Sequence, residues 1–146
     1  MRALQQLAPP LLGSCLCGDF SYVCSSTPVW SVNCHCRCCQ KLSGAPWVSA
    51  FAMPAEHFAF TGDVHPFHRL ADSGAKVTTS HCARCGARMF AQSSGNPAHV
   101  NIFATTLDDP SAFKAVSNVY LSEAAPWIDP PPARYNFQKM PVRPDE

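Results

Sequence analysis

Residues 33–44 read NCHCRCCQKLSG, which sets Cys34, Cys36, Cys38 and Cys39 in one short run beside His35. Thiols this crowded have two stable fates. In a reducing compartment they hold a soft metal; in an oxidising one they are divided among disulfides. Cys34, Cys36 and Cys39 read as three thiolate ligands of one zinc ion, with Lys41 to Gly44 closing a short helical turn after them. The count matters because a structural zinc is closed by four protein ligands, whereas a reactive one keeps its fourth position for water or substrate. Cys38, His35 and Cys24 compete for that position, and with any of them bound the site would be a staple. Amides and the helix dipole at the start of the turn from Cys39 to Leu42 favour thiolate over thiol, and Arg37 and Lys41 add positive charge.

Outward from this run lie two further cysteine pairs. Gly13-Ser14-Cys15-Leu16-Cys17-Gly18 reads as a tight turn flanked by glycines. Two residues apart on an extended strand are separated by roughly 6.6 Å, too far for two sulfurs that each sit about 2.3 Å from one ion, so the backbone is expected to curl. His81-Cys82-Ala83-Arg84-Cys85-Gly86 has the form of a zinc knuckle. Each pair supplies half a tetrahedron. Joined, Cys15, Cys17, Cys82 and Cys85 make a four-thiolate structural site that ties the first strand to the hairpin after Ser80. Metal binding coupled to folding at such a clip is worth on the order of 10 kcal/mol. A redox dithiol at Cys82 and Cys85 is the rival reading, and the chain lacks the βαβ context that would support it.

The chain has 146 residues with a formal net charge of +1, and 14% of it is charged, against the ~25% usual for soluble domains. Seven thiolates on two divalent ions would make the balance slightly negative. Lys and Arg are scattered without aromatic interleaving, so neither nucleic acid nor another polyanion is an expected partner. Pro9, Pro10 and two glutamines break up the leucines of residues 1–12, so no signal peptide or membrane span is expected there. The odd total of nine cysteines fits complete disulfide pairing poorly and a reducing cytoplasm well.

Short strands are expected at Asp19–Cys24, Val29–Asn33, Trp47–Met53, His57–Thr61, Pro66–Leu70, Lys76–Ser80, Arg88–Gln92, His99–Thr105 and Ser117–Ser122. Turn residues separate them at intervals of about ten, an all-β spacing. Trp47, Ser49, Phe51 and Met53 should share one face, and Asp108-Asp109-Pro110 should start a helical turn through Phe113. Fourteen prolines argue against long helices. The expected organisation is an arm at residues 1–12, a zinc domain at 13–128, and a proline-rich tail at 129–146 packed on it or trailing from it.

Taken in order, the motifs Gly13–Gly18, Cys34–Gln40 with Ser43–Pro46, Cys82–Gly86, Leu107–Pro110 and Ala125–Trp127 resemble the glutathione-dependent formaldehyde-activating enzyme family, which includes the centromere protein V domain. The resemblance implies a mainly β, β-tent fold of short antiparallel sheets clipped by zinc. It also implies a structural zinc on Cys15, Cys17, Cys82 and Cys85, and a second zinc on Cys34, Cys36 and Cys39 that meets the thiol of glutathione. The activity implied is that of a carbon–sulfur lyase joining glutathione, or a similar thiol, to an aldehyde such as formaldehyde. Arg37, Lys41, Arg69 and Arg88 are candidates for the thiol's carboxylates; His35, His81 and Trp47 are candidates for the pocket wall. Departures fall at Cys38, at Thr79-Ser80-His81 and at Pro130–Pro132. The rival classes are a non-catalytic zinc scaffold for a protein partner and a thiol sensor of oxidants or metals.

Overall fold

Alternation sets the inner faces of most strands. In β2 (Ser21–Cys24), Tyr22 and Cys24 are buried while Ser21 and Val23 are exposed, and in β3 (Trp30–Cys34), Ser31 and Asn33 turn inward. The computed structural model describes residues 7–141. Residues 1–6 of the expected arm and 142–146 of the expected tail lie outside that range.

Two sheets form. β1 (Leu11–Ser14), β2 and β5 (Phe58–Thr61) make a small antiparallel sheet. The larger sheet has eight strands in the order β11 (Tyr135–Asn136), β10 (Ser117–Val119), β3, β4 (Val48–Pro54), β9 (His99–Phe103), β8 (Arg88–Ser93), β7 (Lys76–Cys82), β6 (Val64–Leu70). Its pairings are antiparallel except that β10 runs parallel to both of its neighbours. The fold is therefore mainly β. One seven-residue helix, α1 (Arg37–Ser43), follows β3.

The core lies where the small sheet packs on the large one. Phe20, Tyr22 and Cys24 meet Phe51, Met53, Met89, Phe90, Val100 and Ile102. Aromatic rings form the seam, with Phe20 and Phe60 centroids 5.0 Å apart, Phe58 and Phe90 also 5.0 Å, and Phe60 and Phe90 5.3 Å. Phe20 and Phe90 are buried, and a fully buried ring contributes about 1.5–3 kcal/mol, whereas Phe60 is partly exposed at the rim of the seam.

The large sheet also curls on itself. Tyr120 follows β10 near one margin and Asp72 follows β6 at the other, yet the Tyr120 hydroxyl donates to Asp72 Oδ2 at 3.0 Å. Right-handed strand twist accumulated over many strands allows such a return.

Four expectations need correction. Ala50 and Ala52 are buried along with Phe51 and Met53, so β4, which lies mid-sheet, is covered on both faces and does not present one inner row. Residues 108–113 form no helix, and the expected helical turn is reduced to a single tight turn in which the Phe113 amide donates to the Pro110 carbonyl at 3.0 Å. Asp109 Oδ1 accepts from the Ser111 amide and hydroxyl, and that local side-chain bonding competes with helix. The last expected strand stops at Val119 because Tyr120 adopts a left-handed conformation (φ 57°). Gly13 lies within β1 rather than in a turn; it is required because a Cβ there would run into the Tyr22 ring.

Candidate metal centres

The first cysteine cluster spans the two sheets. Cys15 and Cys17 lie in the β1–β2 turn, where Gly18 supplies the positive φ of 86°. Cys82 ends β7 and Cys85 lies in the following turn, closed by Gly86 at φ 78°. The β7–β8 register shifts between Ser80 and His81, with Met89 of β8 as the extra residue, so a bulge on the neighbouring strand interrupts the ladder just before Cys82. All four Sγ atoms lie within 4.8 Å of one another, with Cys15 to Cys17 at 3.5 Å and Cys17 to Cys82 at 3.7 Å. Tetrahedral bonds of about 2.3 Å to one ion require sulfurs about 3.8 Å apart, so this donor set fits a soft divalent metal. The amide of Phe20 donates to Cys15 Sγ at 3.3 Å, and those of Arg84 and Cys85 donate to Cys82 Sγ at 3.4 and 3.5 Å. The Ala87 amide, followed by that of Cys17, brings the Cys85 thiol down to about 6.

The second cluster forms where β3 passes into α1. Cys34 is the last residue of β3, Cys36 is the N-cap, and Cys39 lies in the first turn. Cys36 Sγ accepts from the Cys39 amide at 3.3 Å, a sulfur acting where a cap oxygen usually does. The three Sγ atoms lie within 4.8 Å of one another. Hydrogen bonds from Cys34 and then Cys39 push Cys36 down to about 2, while Cys34 rises to about 12 and Cys39 rises as well. Such sharing of protons marks three sulfurs close enough to share a cation. Among the described residues no fourth His, Cys, Asp or Glu joins the group. Cys38 is exposed, Cys24 is buried in the core, and His35 is hydrogen-bonded to Asn118.

The family model described as "Glutathione-dependent formaldehyde-activating enzyme" matches residues 10–123, and that range contains all seven clustered cysteines. The chain belongs to this family. The crystal structure of a Rhodobacter sphaeroides protein, a structural-genomics target, is similar at 15% identity with a TM-score of 0.54, over 66% of this chain and 87% of that one. That likeness bears on the fold alone. No curated protein matches the sequence.

Polar contacts frame the second cluster. Gln40 Nε2 donates to the His35 and Glu123 carbonyls at 2.6 and 2.8 Å, docking α1 against the segment after β10. Gly44, at φ 71°, ends the helix by donating to the Gln40 carbonyl. Arg37 and Lys41 are both exposed on α1, and the Arg37 amide donates to Glu123 Oε1 at 3.1 Å. His81 faces His65 across β6 and β7. Arg88 and Trp47 line a cavity of about 860 Å³, together with Cys15, Leu16, Val48 and Asp108. That cavity adjoins the second centre through Val48, the β-partner of Cys34, but the three sulfurs do not line it. Sequence reading overlooked Asn118, Gln40, Tyr120 and Asp72. Gln40 falls inside the Cys34–Gln40 motif, which does not reveal its docking role; Asn118, Tyr120 and Asp72 belong to no local motif, and each acts through a contact between distant parts of the chain.

Proposed function

We propose that the chain is a zinc-dependent carbon–sulfur lyase of the S-(hydroxymethyl)glutathione synthase type, joining glutathione or a similar thiol to an aldehyde such as formaldehyde, or reversing that reaction. It would carry two zinc ions, a structural one on Cys15, Cys17, Cys82 and Cys85 and a reactive one on Cys34, Cys36 and Cys39. At the second site zinc would supply a place for an incoming sulfur and favour its thiolate form. The bonds balance without an oxidant: S–H breaks, a C–S bond forms at the carbonyl carbon, and the π pair moves to oxygen, which takes a proton. The chain's own part is to fix three sulfurs at the β3–α1 junction, to hold α1 through Gln40, and to keep Cys38 turned away. Arg37 and Lys41, on the outer side of α1, would meet a carboxylate of the thiol. A reducing compartment, the cytoplasm, is where these thiols would stay available for metal.

The single observation supporting this reading is a cluster of three sulfurs within 4.8 Å that no fourth side chain among the described residues completes. Zinc content per chain, measured for the wild type and Cys39→Ser together with glutathione titration, tests it. The expectation is about two zinc ions falling to about one, with thiol binding lost and the fold kept. If glutathione fails to bind the two-zinc protein, the chain is a zinc scaffold and the lyase reading is wrong.

A further inference from the structure

The curl of the large sheet brings three side chains from its two margins to the second cysteine cluster. Tyr120 directly follows Val119, the parallel partner of Cys34. Its left-handed backbone is the sole non-glycine positive φ among the described residues. Strain of this kind persists where the surroundings impose it. Here the imposing contacts are backbone bonds from Leu121 to the Phe137 carbonyl at 3.2 Å and from Glu123 to the Tyr120 carbonyl at 3.0 Å. The conformation aims the phenol across the gap to Asp72, which sits in the turn after β6. Three residues earlier on the same hairpin is Arg69. Its Nε is buried and has no hydrogen-bond partner, and an orphan of this kind calls for an explanation.

The Arg69 guanidinium also lies within electrostatic reach of Cys36. The Tyr120 hydroxyl is pushed up to about 12, first by burial, then by its bond to Asp72, then by the negative charges of Asp72, Cys34 and Cys36. It therefore keeps its proton and keeps donating to Asp72 at neutral pH. Among the described residues neither Arg69 nor Asp72 takes part in an ion pair. A cation and an anion three residues apart on one hairpin, neither of them in an ion pair among the described residues, thus lie towards the three sulfurs.

We infer that Arg69 and Asp72, with Tyr120 orienting the latter, form a receptor for the zwitterionic α-amino-acid end of the thiol whose sulfur enters the Cys34–Cys36–Cys39 site. A carboxylate would take the planar fork of Arg69, including the orphaned Nε, in a charge-assisted pair. The α-ammonium would donate to the free oxygen of Asp72 and to a lone pair of Tyr120 Oη. Recognition by two opposite charges selects a thiol that carries a free amino acid, such as a γ-glutamyl peptide, over a simple alkanethiol. The inference rests on the open-site reading of the preceding section and adds to it the residues that select the thiol.

Titration of the zinc-loaded protein with three thiols tests it: glutathione, glutathione acetylated on its α-nitrogen, and 2-mercaptoethanol. The wild type should bind glutathione roughly tenfold more tightly than the acetylated form. Asp72→Asn should abolish that preference while leaving affinity for the acetylated form unchanged, and Tyr120→Phe should reduce it. Arg69→Gln should weaken both peptides several-fold and leave 2-mercaptoethanol binding as it was. Unchanged discrimination in Asp72→Asn overturns the proposal, as does an equal loss for 2-mercaptoethanol in Arg69→Gln, which would make Arg69 a mere counter-charge to the sulfurs. In both cases thiol binding by the wild type would leave the open site intact. No binding of any thiol would remove the open site and the receptor together. Zinc content of each variant verifies that the centres are still assembled.

Discussion

His35 Nε2 and Asn118 Oδ1 lie 2.9 Å apart in the interior, the histidine 1% and the asparagine 1% exposed. Asn118 spends its amide hydrogens elsewhere, on the Pro131 carbonyl at 2.7 Å and Asn136 Oδ1 at 3.0 Å. Its oxygen therefore accepts, and His35 donates from Nε2. The residue between two of the clustered cysteines is thus tied to β10 and, through Asn118, to the C-terminal segment.

Replacing Asn118 with Leu should leave the His35 donor and the Pro131 carbonyl unsatisfied in a buried setting, at a cost of about 1–3 kcal/mol. Thermal unfolding should show the midpoint lowered by roughly 2–12 °C for a chain of this size. Zinc content at room temperature should be unchanged, because no ligand is removed. An unshifted midpoint would show that water already serves these groups.

Substitution of Cys82 by Ser should be far more damaging than any change at Cys38. Cys82 is 1% exposed, accepts from two amides and belongs to the cluster that joins the small sheet to the large one. Losing a structural metal site removes binding energy that is folding energy. The Arg84 to Asp19 ion pair at 3.3 Å across the same junction is exposed on both sides and cannot replace it. The expected result is insoluble protein for Cys82→Ser and a wild-type yield for Cys38→Ser, read from the soluble fraction after expression.

What could be read from the chain alone was whatever acts locally. Cysteine spacing singled out the same seven thiols that the fold gathers into two clusters, and alternation located most strands to within a few residues. Gly13 was misassigned to a turn because the reason for it is Tyr22 on the neighbouring strand, and that steric demand leaves no trace in residues 11–18. β11 escaped notice since two residues after a triple proline carry no period. Tyr120 ended the last expected strand early, although nothing about a tyrosine announces a left-handed backbone. Asp72 resembled an ordinary turn residue; its partner is 48 positions away.

Cys24 predicts a pH dependence that involves neither metal centre. Burial pushes its thiol up to about 12 from an ordinary value of 9.0. A group whose folded pKa is raised contributes stability fully below the unfolded value, and that contribution is lost as pH rises from about 9 towards 12. Unfolding in urea should give a midpoint that falls between pH 8 and pH 10.5, and Cys24→Ala should flatten that slope even though it lowers stability at pH 8. Identical slopes for the two proteins would exclude the buried thiol as the source. The same burial predicts that a thiol reagent labels Cys38 first and Cys24 last.

Gly13→Ala tests whether the approach of two strands, rather than turn flexibility, requires glycine at this position. Gly13 pairs with Tyr22 in β1–β2 and bridges to Leu107 on its other side, so the backbone is held from both directions. The Tyr22 hydroxyl is 2.8 Å from Thr106 Oγ1, so the ring that a new Cβ would strike cannot swing away without breaking that bond. Overpacking of this kind costs typically 1–3 kcal/mol. Gly74, which has a positive φ but nothing within 4 Å of a built Cβ, provides the control: Gly74→Ala carries only the backbone penalty of about 1 kcal/mol. Denaturant unfolding should rank Gly13→Ala below Gly74→Ala, and Tyr22→Phe should not rescue Gly13→Ala because the ring itself remains. If Gly13→Ala proves as stable as the wild type, the strands have room to part, and β1 is held to the small sheet more loosely than its register implies.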